Sequence, residues 1–316
     1  MALSLNPGMA AALAAQEADA PATGSAPPAR GDWRTLRDLT NLAIESDFAN
    51  AAPAPDVTYT RHEVTAEDAA SLELRWYTKA GSSPGSALVY VHGGGMICGS
   101  LENYDPVVKQ YVQWTGVPFL AVQYRLAPEF PGEIPARDVV AAVRWLREHA
   151  ASLGVDPQRI AIMGDSGGGG VGAGAAILAR DEGIELAAQI LIYPMLDDRN
   201  TTPDPHIAPL ATWTYDMNYT GWHALLGETV GTDQVSPVAA PARLTDHTGL
   251  APAYIEVGTL DIFRDESIDY AKSLLRAGVD TELHVHPGSP HGHEWIGSTE
   301  LGVRCNADRI RVITDI

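Results

Sequence analysis

The chain has 316 residues, 45% of them hydrophobic, enough for one large core with a smaller covering element. Against 21 Lys and Arg stand 40 Asp and Glu, a net charge of −19 that argues against nucleic acid or an anionic membrane surface as partner. The two cysteines, Cys98 and Cys305, lie far apart and suggest neither a disulfide framework nor a cysteine-based metal site.

Residues 1–55 are rich in Ala and Pro, but Trp33, Leu36, Leu39 and the run Leu42 to Phe48 predict a helix with an apolar face. No Lys or Arg precedes Arg30, so the apolar stretch Met9 to Ala15 lacks the positive region of a signal peptide. No run approaches the ~18 apolar residues of a membrane span. The expectation is a cytoplasmic protein.

From there strand-like and helical patterns alternate. The strand-like runs are Val57–Arg61, Leu72–Tyr77, Ala87–Val91, Phe119–Tyr124, Arg159–Met163, Ile190–Tyr193, Ala253–Val257 and Leu283–His286. The clearest helix is Ala136 to His149. Such alternation implies an α/β fold with a mostly parallel sheet covered on both faces. Residues 197–231 break the pattern and are too long for an ordinary loop. There Tyr215, Tyr219, Trp222 and Leu226 share one helical face, and Leu210, Trp213 and Met217 form a second stripe. A helix apolar on two faces is expected between two surfaces. The expected organisation is a catalytic core of 56–196 and 232–316, with 1–55 and 197–231 as a cap.

Chemistry concentrates at the ends of the predicted strands. Gly164-Asp165-Ser166-Gly167-Gly168 follows one apolar run and opens a small-residue helix, the pattern of a nucleophile elbow. The turn lifts the serine hydroxyl clear of the sheet and leaves it at a helix N-terminus, where N–H groups stabilise an anion. The same letters occur in all-β serine proteases, but there the histidine and acid precede the serine. Gly167 to Gly172 also fits G-x-G-x-x-G, yet Ser166 and its neighbours stand where that loop should close its strand. A second strand ends in His92-Gly93-Gly94-Gly95, whose bare backbone can approach an acyl oxygen closely. The expected oxyanion donors are Gly93, Gly94 and Gly167, with His92 holding the loop.

The general base should follow the serine. Among His284, His286, His291 and His293, the choice is His291, on the loop after the last strand, with His293 the alternative. Asp261, just past the strand holding Glu256, is the orienting acid; Glu256 in mid-strand is the weaker option. Asp265 and Glu266 read as a helix's first turn. The two His-x-His pairs raise a metal alternative, but no carboxylate falls at a typical position within that cluster, and no metal or other cofactor is expected.

With these residues in hand, the chain resembles the hormone-sensitive-lipase-like family of α/β-hydrolases, in its bacterial esterase branch. The likeness rests on His92 to Gly95 with Gly99, Tyr124-Arg125-Leu126-Ala127-Pro128-Glu129, the Gly-Asp-Ser elbow, Asp261 to Glu266, and Pro287 to Gly292. Asp197-Asp198-Arg199 after Tyr193-Pro194, and Ser236-Pro237 with Ala239-Ala240-Pro241, are similar to bacterial aryl-ester hydrolases of that branch. The resemblance implies a triad of Ser166, Asp261 and His291, a helical cap and no cofactor. Homodimers are common in the family, though nothing in this sequence demands one. Gly167 stands where alanine is usual, Met96 where an aromatic is common and His293 where phenylalanine is common. Met96 and His293, with Trp213 and Tyr219 of the cap, are the expected substrate contacts. The expected activity is a serine carboxylesterase for small, medium or aryl esters. An amidase or lactone hydrolase with the same triad, or a receptor on the same fold, are the alternatives; His291 in its Pro-His-Gly setting weighs against the receptor.

Overall fold

The computed structural model describes residues 3–19, 28–49, 51–296 and 299–316. Two helices come first, α1 (Pro7–Asp19) and α2 (Trp33–Phe48), the second started by Asp32, whose carboxylate accepts the Thr35 N–H. Two long strands follow, β1 (Val57–Thr65) and β2 (Ser71–Lys79), paired antiparallel. Apart from Val57, β1 is exposed or half-buried throughout, as suits an edge strand with one wet face.

Next come β3 (Ala87–Val91), α3 (Asp105–Thr115), β4 (Phe119–Val122), α4 (Ile134–Leu153), β5 (Ile160–Asp165), α5 (Gly167–Asp181) and β6 (Gln189–Ile192). All four of these strands are buried at every position, because helices cover both faces. Alternate side chains divide between two cores. Val89, Val91, Ile160 and Ile162 pack with α4 and α5, whereas Leu88, Tyr90, Ala161 and Met163 pack with α3.

After β6 the chain leaves the sheet, forms α6 (Tyr215–Leu226), and returns through β7 (Ala253–Gly258), α7 (Arg264–Arg276), β8 (Thr281–His286) and α8 (Glu300–Thr314). The strand order is β1-β2-β4-β3-β5-β6-β7-β8, parallel from β4 to β8. From β3 the chain steps to β4 on one side and to β5 on the other. That reversal opens a crevice beyond the carboxyl ends of β3 and β5, where ligands of open α/β sheets bind.

Two expectations need correction. β4 stops at Val122 rather than Tyr124; Gln123 N–H still donates to Glu73 O, and the Tyr124 hydroxyl then donates to the His92 carbonyl at 2.8 Å. The stripe Leu210, Trp213 and Met217 is not one helical face. Thr214 caps α6 by accepting the Met217 N–H at 3.2 Å, so the helix begins only at Tyr215, after Leu210 and Trp213. Its buried positions include Asn218, Gly221, Trp222 and Leu225. Among the described residues, no helix is long and apolar enough to cross a membrane.

Candidate active site

Ser166 follows the last residue of β5 and caps α5 with φ 57° and ψ −122°, a conformation L-residues rarely adopt. The strain is held by the turn itself: Ser166 N–H donates to Ile192 O at 2.9 Å, and its carbonyl accepts from Met195 and Gly170. Only glycine fits on either side. A Cβ on Gly164 would strike the Gly168 carbonyl, and one on Gly168 would strike the carbonyls of Val91 and His92.

The loops after β7 and β8 bring Asp261 and His291 to this turn. Ser166 Oγ and His291 Nε2 are 2.8 Å apart, and His291 Nδ1 and Asp261 Oδ2 are 2.7 Å apart. A carboxylate accepts only, so Nδ1 carries the proton and Nε2 is left to accept from the serine. The Asp261 side chain is wholly buried, and its Oδ1 accepts the Phe263 N–H at 2.9 Å. The imidazole is fixed edge-on by Tyr193, 4.5 Å between ring centres, and by Phe263 at 5.1 Å. Asp165, beside the nucleophile, is pushed up to about 6 by burial, against the opposing hydrogen bond from Tyr90 at 2.6 Å.

The glycine loop after β3 lies directly over Gly167. A Cβ built on Gly167 would fall 2.6 Å from Met96 N and 2.7 Å from Gly95 N. The space of the usual alanine methyl is thus filled by the loop itself. Gly93 sits deeper, where a Cβ would meet Asp165 Oδ2 at 2.6 Å and the Tyr104 hydroxyl at 2.8 Å. The loop thus meets the elbow at both ends, Gly93 beside Asp165 and Gly95 and Met96 over Gly167.

The loop is held from behind by the residues that follow β4. His92 stacks on Tyr124 at 4.4 Å, and its Nδ1 donates to Gly93 O at 2.8 Å. Burial pushes the imidazole down to about 4, so it is a neutral strut. Ala127 N–H donates to Met96 O, and Arg125 makes a two-pronged pair with buried Asp138. From α2, Arg37 donates to the carbonyls of Ile97 and Ala127 and forks onto Glu129. The N-terminal segment is thereby tied to the glycine loop.

The four expected substrate contacts separate. Trp213 reaches the site: a Cβ on Gly95 would touch its indole at 2.6 Å, and its ring centre is 6.5 Å from that of His291. Next to it, Thr212 Oγ1 donates to His291 O at 2.7 Å. Met96 is packed into the core, 1% exposed. Tyr219 instead stacks on His223 at 3.7 Å and lies beneath the Arg30 guanidinium at 3.9 Å. His293 is a correction. It is wholly buried, with Nδ1 donating to Pro290 O and Nε2 3.6 Å from Glu256 Oε1. It belongs to an ion cluster beneath the site, so it neither contacts substrate nor competes with His291.

That cluster was not legible in the sequence. Arg309 of α8 pairs with Glu256 and, at 2.6 Å, with Glu294, which also accepts from the Tyr193 hydroxyl at 2.6 Å. Glu256 is committed there, its second oxygen accepting from Tyr254 at 2.6 Å, which removes it as the orienting acid. Tyr193 is a second omission. Its φ of 36° at the end of β6 sets its ring against His291, and only its place after that strand hinted at this.

A family profile described as the alpha/beta hydrolase fold matches residues 88–294. A relative from Pseudomonas putida, named ethyl acetate hydrolase, is 33% identical over 306 residues, covering 94% of both chains. Among solved structures, a bacterial heroin esterase is 34% identical with a TM-score of 0.89, over 99% of this chain and 98% of that one. Esterase LipW from Mycobacterium marinum is 28% identical with a TM-score of 0.80, over 98% of this chain and 95% of that one.

Proposed function

Because the chain belongs to the α/β-hydrolase family of the hormone-sensitive-lipase type, we propose that it is a carboxylic ester hydrolase in which Ser166, His291 and Asp261 form the catalytic triad. The observation that carries this reading is the unbroken hydrogen-bonded line from Ser166 Oγ through His291 to buried Asp261. His291 Nε2 takes the serine proton as Oγ attacks the ester carbonyl. The N–H groups of Gly93, Gly94 and Gly167 receive the oxyanion. His291 then protonates the leaving alkoxide, and water cleaves the acyl-enzyme by the reverse transfers. Asp261 keeps the proton on Nδ1 and stabilises the imidazolium.

The described residues of 1–55, together with 197–231, act as the cap. Trp213 stands over Gly95 beside His291, and Ser166 is only 6% exposed. This close cover favours small acyl groups and aryl or short-chain alcohols, in keeping with a relative named for ethyl acetate. A series of p-nitrophenyl esters tests it. We expect kcat/KM to be highest for acetate to butyrate and to fall by about 10²-fold or more at palmitate. Equal or rising efficiency with chain length would contradict the substrate assignment.

Gly167→Ala tests the oxyanion loop. Alanine is ordinary in the family, but here its methyl would press on the backbone of Gly95 and Met96. The variant should fold and lose about 10²-fold in kcat for p-nitrophenyl acetate, the effect of displacing one oxyanion donor. An unchanged kcat would show that the loop is free to yield.

A further inference from the structure

We propose that Glu256, His286, His293 and Cys305 form a buried site for one divalent transition-metal ion of the zinc class. One histidine from each His-x-His pair takes part, and folding supplies the carboxylate that the local sequence lacks. Glu256 comes from β7, His286 from the end of β8, His293 from the loop bearing His291, and Cys305 from α8.

The ligand atoms of all four residues lie within 4.8 Å of one another. Ligands at 2.0–2.3 Å from a tetrahedral zinc stand about 3.3–3.8 Å apart. Two edges already have that length: Cys305 Sγ to His286 Nε2 is 3.4 Å, and His293 Nε2 to Glu256 Oε1 is 3.6 Å. Glu256, His293 and Cys305 are 0% exposed and His286 is 3% exposed.

His293 is oriented as metal-bound histidines are. One ring nitrogen, Nδ1, donates to a backbone carbonyl, while Nε2 points into the cluster without a hydrogen-bond partner. Glu256 is fixed by the Tyr254 hydroxyl, which donates to Oε2, and by Arg309, which donates to Oε1, the oxygen that also faces His293.

An ion there would join α8 and β7 to the loop carrying His291, fixing the base from below.

The test needs no variant to begin. The full chain is produced in defined medium with zinc or with cobalt, desalted and measured for metal. We expect about one ion per chain. The cobalt form should show the intense visible bands of tetrahedral cobalt and a thiolate charge-transfer band in the near ultraviolet. Cys305→Ser should lose the charge-transfer band. Folded wild-type protein with less than about 0.1 ion per chain and no cobalt bands would overturn the proposal. Retention of the charge-transfer band in Cys305→Ser would overturn the ligand set.

Discussion

Replacing Ser166 with alanine should lower kcat/KM for p-nitrophenyl acetate by about 10⁴-fold or more while leaving the folding transition almost unmoved. The loss follows from geometry. The hydroxyl is the one group that both faces His291 Nε2 at 2.8 Å and stands beside the N–H groups of the glycine loop. Removing it leaves the oxyanion donors and the histidine with no atom to form the acyl bond. The fold is indifferent because the elbow is held by backbone bonds to Ile192, Met195 and Gly170, all of which alanine keeps. Alanine also bears the positive φ no worse than serine does. A variant within tenfold of wild type would remove Ser166 from the mechanism.

Asp261→Asn should cost about 10³–10⁴ in kcat with little change in fold, and its cause is the identity of one proton. Asp261 accepts at both oxygens, from His291 Nδ1–H and from the Phe263 N–H. Asparagine has one accepting oxygen and one donating amide. If the oxygen faces Phe263, the amide donates to Nδ1, the ring proton moves to Nε2, and Nε2 can no longer accept from Ser166. If the oxygen faces His291, the amide opposes the Phe263 N–H in a fully buried position. Steady-state kinetics beside thermal unfolding separates the two. Loss of kcat at constant stability marks the wrong tautomer, and loss of stability marks the unpaired N–H. Near wild-type turnover in this variant and in His291→Ala together would show that another acid and base serve Ser166.

Much of this architecture could be read from residue order. The buried parallel strands announce themselves as apolar runs such as Leu88 to Val91, and the elbow is signalled locally because its glycines are dictated by contacts within a few residues. Asp261 and His291 could be chosen because the ends of parallel strands converge on one edge of the sheet. The remainder depends on contacts distant in sequence. Nothing near His293 reveals that Arg309 and Cys305 of the last helix pack beneath it, so its side chain was expected in the pocket rather than under it. Tyr219 was expected to meet substrate because helical periodicity identifies a shared face but not its neighbour, which here is Arg30. The glycines of His92 to Gly95 are equivalent as letters, and only their packing against Asp165, Trp213 and Cys98 tells them apart.

Covalent trapping of the nucleophile tests the central assignment most directly. The protein is incubated with an alkyl fluorophosphonate, and its intact mass, modified peptide and residual esterase activity are followed together. The account predicts a single adduct on Ser166, formed in step with loss of activity and absent from Ser166→Ala. Full inactivation without an adduct on Ser166, or an adduct on Ser166 that leaves activity intact, would contradict it.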